Sequence, residues 1–150
     1  MVYIQEDISN QNLQYVYSHN SMKKLSTDHR DASPIKHPFA KYYSAFYDNK
    51  FLGAYLVLKQ SELEYEIHIL LLPESIKYTR ELSIAMLNET FKYAHRVTAK
   101  IYSNLKTIEN MTKKLGFKYE GTIRETHLIN GKYVDTIIYG MLKSEFKEIQ

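Results

Sequence analysis

The ten residues from Leu63 to Leu72 change their pattern halfway, and that change constrains the fold more than any other feature of the chain. Glu64, Glu66 and His68 alternate with Tyr65, Ile67 and Ile69, the period-two signature of a strand with one polar and one apolar face. Leu70, Leu71 and Leu72 then make the segment continuously apolar until Pro73, which cannot donate to a sheet ladder and stops it. This reads as a central strand with one polar mouth. Apolar residues at Ile76, Leu82, Ile84, Ala85, Leu87, Phe91 and Ala94 follow at helical spacing. They predict a long amphipathic helix from Glu74 or Ser75 to about Ala94, packed on the sheet and starting directly after that strand.

The remaining elements extend the pattern. Val2 to Ile4 predicts a short first strand, and Ser9 or Asn10 caps a helix through Leu13, Val16, Tyr17 and Met22 that ends near Leu25. Residues 26–39 hold too many breakers, Pro34 and Pro38 among them, for a regular element and predict a loop. Tyr42 to Tyr47 and Phe51 to Leu58 flank Asp48-Asn49-Lys50 as an antiparallel hairpin. Val97 to Tyr102 is a strand, and Leu105 to Leu115 is a helix that closes at Gly116. Phe117 to Thr126 and Tyr133 to Leu142 flank Asn130-Gly131, two residues tolerant of positive φ and a strong hairpin signal. A short final helix from Lys143 to Gln150 docks Phe146 and Ile149. The order β α β β β α β α β β, with no repeat or linker, predicts one α/β (α+β) domain with helices on the faces of a sheet.

Composition narrows the class. The chain has 150 residues, no cysteine and a net charge of +3 spread along its length. A disulfide framework, a thiolate metal site and a cysteine nucleophile are excluded, and a reducing cytoplasm is the expected location. The longest apolar runs fall far short of the ~20 residues a spanning helix needs, and the N-terminus reads as mature structure rather than a signal. The spread of charge gives no basic face, so a nucleic-acid partner is not expected. No pair of histidines has the spacing of a metal site, so no metal is expected.

The stretch from Asn104 to Gly121, with Lys114-Leu115-Gly116-Phe117 inside it, followed by Arg124, Asn130-Gly131, Tyr133, Asp135 and Tyr139-Gly140-Met141-Leu142, resembles the C-terminal half of the GNAT superfamily of acyl-CoA N-acyltransferases. The nearest pattern is that of the branch acetylating ribosomal-protein N-termini. The His29-Arg30-Asp31 loop and the segment Glu66 to Pro73 also resemble phage-encoded GNAT-like proteins, some of them internal virion proteins. The resemblance implies a mostly antiparallel mixed sheet, acetyl-CoA as co-substrate, and direct attack by a primary amine on a protein N-terminus, a lysine or a small molecule. A homodimer is compatible with it. A GNAT-like chain without catalysis, acting as a binding or virion-associated module, is the alternative.

The resemblance also distributes roles. The backbone of Leu70, Leu71 and Leu72 would pair with the pantetheine arm, and Lys77, Tyr78, Thr79 and Arg80 would lie at the diphosphate, with Asn104 against the cofactor. The family's loop at Glu74 to Glu81 normally carries glycines, and here it has none. The helix after Asn104 is one residue longer than the usual spacing to Gly116. Many members place a tyrosine acid where this chain has Met111 or Thr112, which leaves the general acid unassigned. An arriving ammonium must lose a proton, so the polar mouth should supply the base. Glu66 is the first candidate, with Glu64 and His68 on the same face, the trio being able to raise a carboxylate pKa by repulsion or burial. The same residues also read as a solvated strand face, and the His29 to Asp31 cluster as either a cleft wall or a solvated loop.

Overall fold

Alternation of apolar and polar residues produces seven strands, and one sheet contains them all. They are β1 (Val2–Glu6), β2 (Ala40–Tyr47), β3 (Lys50–Lys59), β4 (Glu64–Leu71), β5 (Arg96–Tyr102), β6 (Lys118–Ile129) and β7 (Lys132–Leu142). Four helices accompany them: α1 (Gln11–Ser18), α2 (Thr79–Thr90), α3 (Lys106–Lys114) and α4 (Lys143–Ile149). The computed structural model describes residues 1–9 and 11–149, the side chains of 147–149 excepted. The strand order is β1-β2-β3-β4-β5-β7-β6, antiparallel throughout except for the parallel pair β4–β5.

The strand parity read from the sequence decides what each face buries. Tyr43, Ala45, Tyr55, Val57 and Leu71 face α2 and pack on Leu82 and Met86. Tyr42, Ala54, Leu56 and Leu70 face the other way, against Leu13, Val16 and Met22 of the first helical segment. Each fully buried side chain of this kind contributes about 1.5–3 kcal/mol. Phe146 of α4 stacks on Phe91 at 5.1 Å, while the side chain of Ile149 lies outside the described residues.

Two helices differ from the sequence expectation. The first breaks at His19, whose Nδ1 accepts the Ser21 N–H, and continues as a 3-10 turn over Asn20–Leu25. Its start is held by Asp7, whose carboxylate accepts the Leu13 N–H at 3.1 Å, while Oγ of the expected cap Ser9 accepts the Gln11 N–H at 3.4 Å; the other cap candidate, Asn10, lies outside the described residues. The long helix after β4 begins as a 3-10 turn over Pro73–Tyr78 and becomes α2 at Thr79. Ser75 explains part of this: its hydroxyl and its N–H both donate to Leu72 O, which tightens the turn against the strand end. Both hairpin turns form: the positive φ expected of Asn130 and Gly131 is 51° and 73°, and Asp48 in the other turn also takes a φ of 51°.

Candidate active site

Parallel pairing between β4 and β5 covers Glu64–Arg96, Tyr65–Val97 and Glu66–Thr98 and goes no further, although β4 runs on to Leu71 and β5 to Tyr102. The two strands therefore part just past Glu66. On its other edge β4 stays joined to β3 as far as Gly53–Leu71, and Leu72 N–H donates to Leu52 O at 2.9 Å. Antiparallel alternation then commits the amides of Glu66, His68 and Leu70 to β3 and turns those of Ile67, Ile69 and Leu71 toward the gap. Of the three leucines assigned to the pantetheine arm, Leu71 alone has this orientation.

Two cavities meet at the gap. One, of about 280 Å³, passes between the strands from the α1 face and is lined by Glu66, His68, Lys100, Tyr102, Arg30 and His127, with Ile69 and Ile108 at its inner end. The other, of about 710 Å³, lies between β4, α2 and α3, and it shares Ile69 and Ile108 with the first. Ile69 and Ile108 therefore lie between the two spaces, which adjoin at the gap. Lys24, Arg80 and Lys114 line the larger cavity, and no carboxylate does so among the described residues. A polyphosphate fits that charge set. Arg80 Nη1 also reaches Lys114 O at 3.3 Å, bridging α2 to the end of α3. Two residues at the helix start have no amide to offer an anion: Pro73 has no N–H, and that of Ser75 is donated to Leu72 O.

Glu66 is the electrostatic centre of the smaller cavity. Only 4% of the residue is exposed. His68 Nε2 contacts its Oε1 at 2.6 Å, while Gln60 Nε2 at 3.0 Å and Lys100 Nζ at 3.2 Å contact its Oε2. Burial pushes the carboxyl pKa up, but the hydrogen bonds and charges of His68 and Lys100 together prevail and hold it below the ordinary glutamate value. This corrects the expectation that its neighbours raise it. Glu64, two residues away, belongs elsewhere. It accepts a hydrogen bond from Thr98 Oγ1 and pairs with Arg96 at 3.5 Å, in the closed base of the strand pair.

A pH experiment follows from that sign. Because the folded pKa of Glu66 is depressed, its contribution to stability is complete above the unfolded value of 4.5 and is lost as pH falls through the lower folded value. Urea unfolding of the parent and of Glu66→Gln should show a stability gap at neutral pH that narrows below 4.5. A gap that widens there would contradict the depressed value.

The other sequence candidates divide. Thr79 and Arg80 line the larger cavity. Tyr78 instead stacks on Tyr47 at 4.1 Å, with Lys77 Nζ 5.4 Å from its ring, and neither lines a cavity. Asn104 is exposed and precedes α3 without lining either space. Thr112 lines the smaller cavity, but its hydroxyl donates to Ile108 O at 2.8 Å. Met111 and Asn110 line the larger one.

The 26–39 segment forms a cleft wall. Asp28 accepts the N–H groups of Asn130 and Gly131 at 2.7 and 2.8 Å, and its own N–H donates to Leu128 O, which ties the loop to the β6–β7 turn. Ile35 N–H donates to Tyr42 Oη at 2.7 Å. Arg30, Ala32, Ser33 and Ile35 thereby line the smaller cavity. Lys100, Lys24 and Lys114 carried no local signal in the sequence, since only the strand splay and helix packing bring them to these spaces.

No protein-family model and no curated protein matches the sequence. Solved structures do match the fold. The spermidine/spermine N-acetyltransferase SpeG from Vibrio cholerae superposes with a TM-score of 0.79 at 16% identity, over 99% of this chain and 98% of that one. The spermidine N-acetyltransferase of the same organism in complex with CoA and spermine gives 0.80 at 15% identity, over 97% and 98%. A probable GNAT-family acetyltransferase from Chromobacterium violaceum gives 0.77 at 16%, over 97% and 90%. The chain shares the GNAT fold of these proteins, a mixed and mostly antiparallel sheet with helices on both faces.

Proposed function

We propose that this protein is an N-acetyltransferase that moves an acetyl group from acetyl-CoA to a primary amine by direct attack. The observation that carries the reading is the parting of β4 and β5 after Glu66–Thr98, with a cation-lined cavity on one side adjoining a polar cleft on the other. Acetyl-CoA supplies an activated thioester. Lys24, Arg80 and Lys114 would hold its phosphates, and the Leu71 N–H is a donor of the kind that stabilises a developing oxyanion. CoA bound to one of the structural neighbours supports the same assignment.

On this reading His68 takes the proton. The Glu66 carboxylate has no proton to give, so the short contact makes His68 Nε2 the donor and leaves the lone pair of the neutral ring on Nδ1. Glu66, with both oxygens engaged, positions the ring and stabilises its charged form. The ammonium first releases one proton to water; the neutral amine then forms a C–N bond as the C–S bond breaks, its second proton passes to His68 Nδ1, and the sulfur leaves as thiolate. No covalent enzyme intermediate is required.

The test is thermal. Acetyl-CoA at 100 times its dissociation constant should stabilise the protein by ~2.7 kcal/mol. An unchanged melting temperature at millimolar acetyl-CoA would favour a GNAT-fold binding module instead, a reading that the glycine-free turn over Pro73–Tyr78 supports.

A further inference from the structure

The charge of the acceptor cleft is unusual for a site that receives a cation. Among the described residues lining it, Arg30 and Lys100 are set against a single carboxylate, Glu66, with the imidazoles of His68 and His127 beside them. Glu66 is already matched by Lys100 at 3.2 Å and accepts a hydrogen bond from His68 at 2.6 Å. Arg30 is not matched within the cleft. Its loop neighbour Asp28 is turned away to the amides of Asn130 and Gly131. The charge of Arg30 reaches both walls: it opposes the burial that pushes up the hydroxyl of Tyr17 on α1 and that of Tyr102 at the end of β5. Arg30, an exposed residue, thus lies at the rim of the cleft within range of both walls, on a loop tied at Asp28.

We infer that the acceptor is a small primary amine that also carries an anionic group, a carboxylate or a phosphate, bound by Arg30 while the amine faces His68. The inference rests on the acetyltransferase reading of the same site. A planar guanidinium with several donors suits either oxyanion, and a charge-assisted pair of this kind is about twice as strong as a neutral hydrogen bond. A polyamine would bring two or more positive charges to a cleft whose one carboxylate is engaged, a like-charge arrangement that disfavours the wrong partner. Size agrees. At about 280 Å³ the cleft is near the lower end of small-molecule sites, ~300–1,000 Å³.

The experiment compares 2-aminoethyl phosphate, β-alanine, ethanolamine and spermidine as acceptors with acetyl-CoA, in the parent protein and in Arg30→Gln. One or both anionic amines should exceed ethanolamine in kcat/KM by about tenfold or more, and Arg30→Gln should bring that ratio close to one. The two anionic probes separate phosphate from carboxylate. Spermidine or ethanolamine as the best acceptor, or a ratio that survives Arg30→Gln, would overturn the inference and leave acetyl transfer standing. Calorimetric titration of the same amines gives a second readout. If no amine is acetylated, the acetyltransferase reading falls by itself; Arg30-dependent binding of an anionic amine then sustains the anion site, and its absence overturns that as well.

Discussion

His68→Ala should lower the rate of acetyl transfer by about 10²–10⁴-fold while leaving CoA affinity nearly intact. His68 lines the smaller cavity and not the larger one, so its loss falls on chemistry rather than on co-substrate binding. Glu66→Gln should lower turnover by ~10²-fold, because a neutral amide no longer stabilises the imidazolium. The order of the two effects separates two roles. If His68 is the base, its removal is the more damaging change. If Glu66 takes the proton directly, Glu66→Gln is at least as damaging as His68→Ala. Unchanged turnover in both variants removes the pair from catalysis. Since Glu66→Gln also leaves Lys100 without its carboxylate, single-turnover rates should be read at temperatures well below each variant's unfolding midpoint.

Gly53→Ala should destabilise the fold by about 2–5 kcal/mol, the combined effect of a strained backbone and an overpacked interface. Gly53 sits at φ +126°, which L side chains rarely adopt, and a Cβ there would lie 2.6 Å from Leu71 Cα and 2.7 Å from Leu70 O. Those atoms are backbone, so no side chain can swing aside. The clash falls where β4 leaves the gap with β5, and relief by moving β4 would displace the Leu71 amide. Urea unfolding should therefore show a lower midpoint at an unchanged m-value, and the residual folded protein should bind acetyl-CoA more weakly. Stability and CoA binding both at parental levels would show that β4 is not held in register by this close approach.

Much of the architecture was written locally. The alternation of Glu64, Glu66 and His68 with Tyr65, Ile67 and Ile69 identified β4 and the correct polar face, because side-chain parity in a strand is a property of the strand alone. Asn130-Gly131 located its hairpin because positive φ is an intrinsic preference of those residues. The helix after Pro73 was read too long at both ends, since periodicity does not distinguish a 3-10 turn drawn tight by Ser75 from the first turn of α2.

The site's chemistry was not local. Three residues that share a strand face looked like one cluster, yet Glu64 is taken by Thr98 and Arg96 from β5 while Glu66 is taken by Lys100 from further along the same strand. The sign of the Glu66 pKa depends on that partner and on His68 together, and a carboxylate cannot announce from its own neighbourhood which cation will cross the sheet to meet it. Arg30 enters the cleft only because Asp28 finds the amides of a turn more than 100 residues away. The sequence by itself settled the order of strands and helices and which side chains share a face, since these follow from backbone periods of two and 3.6 and from turn propensity. The tertiary structure alone decided which charges neutralise one another and which amides of β4 remain open to the gap, because both depend on distances between segments that the chain brings together only on folding.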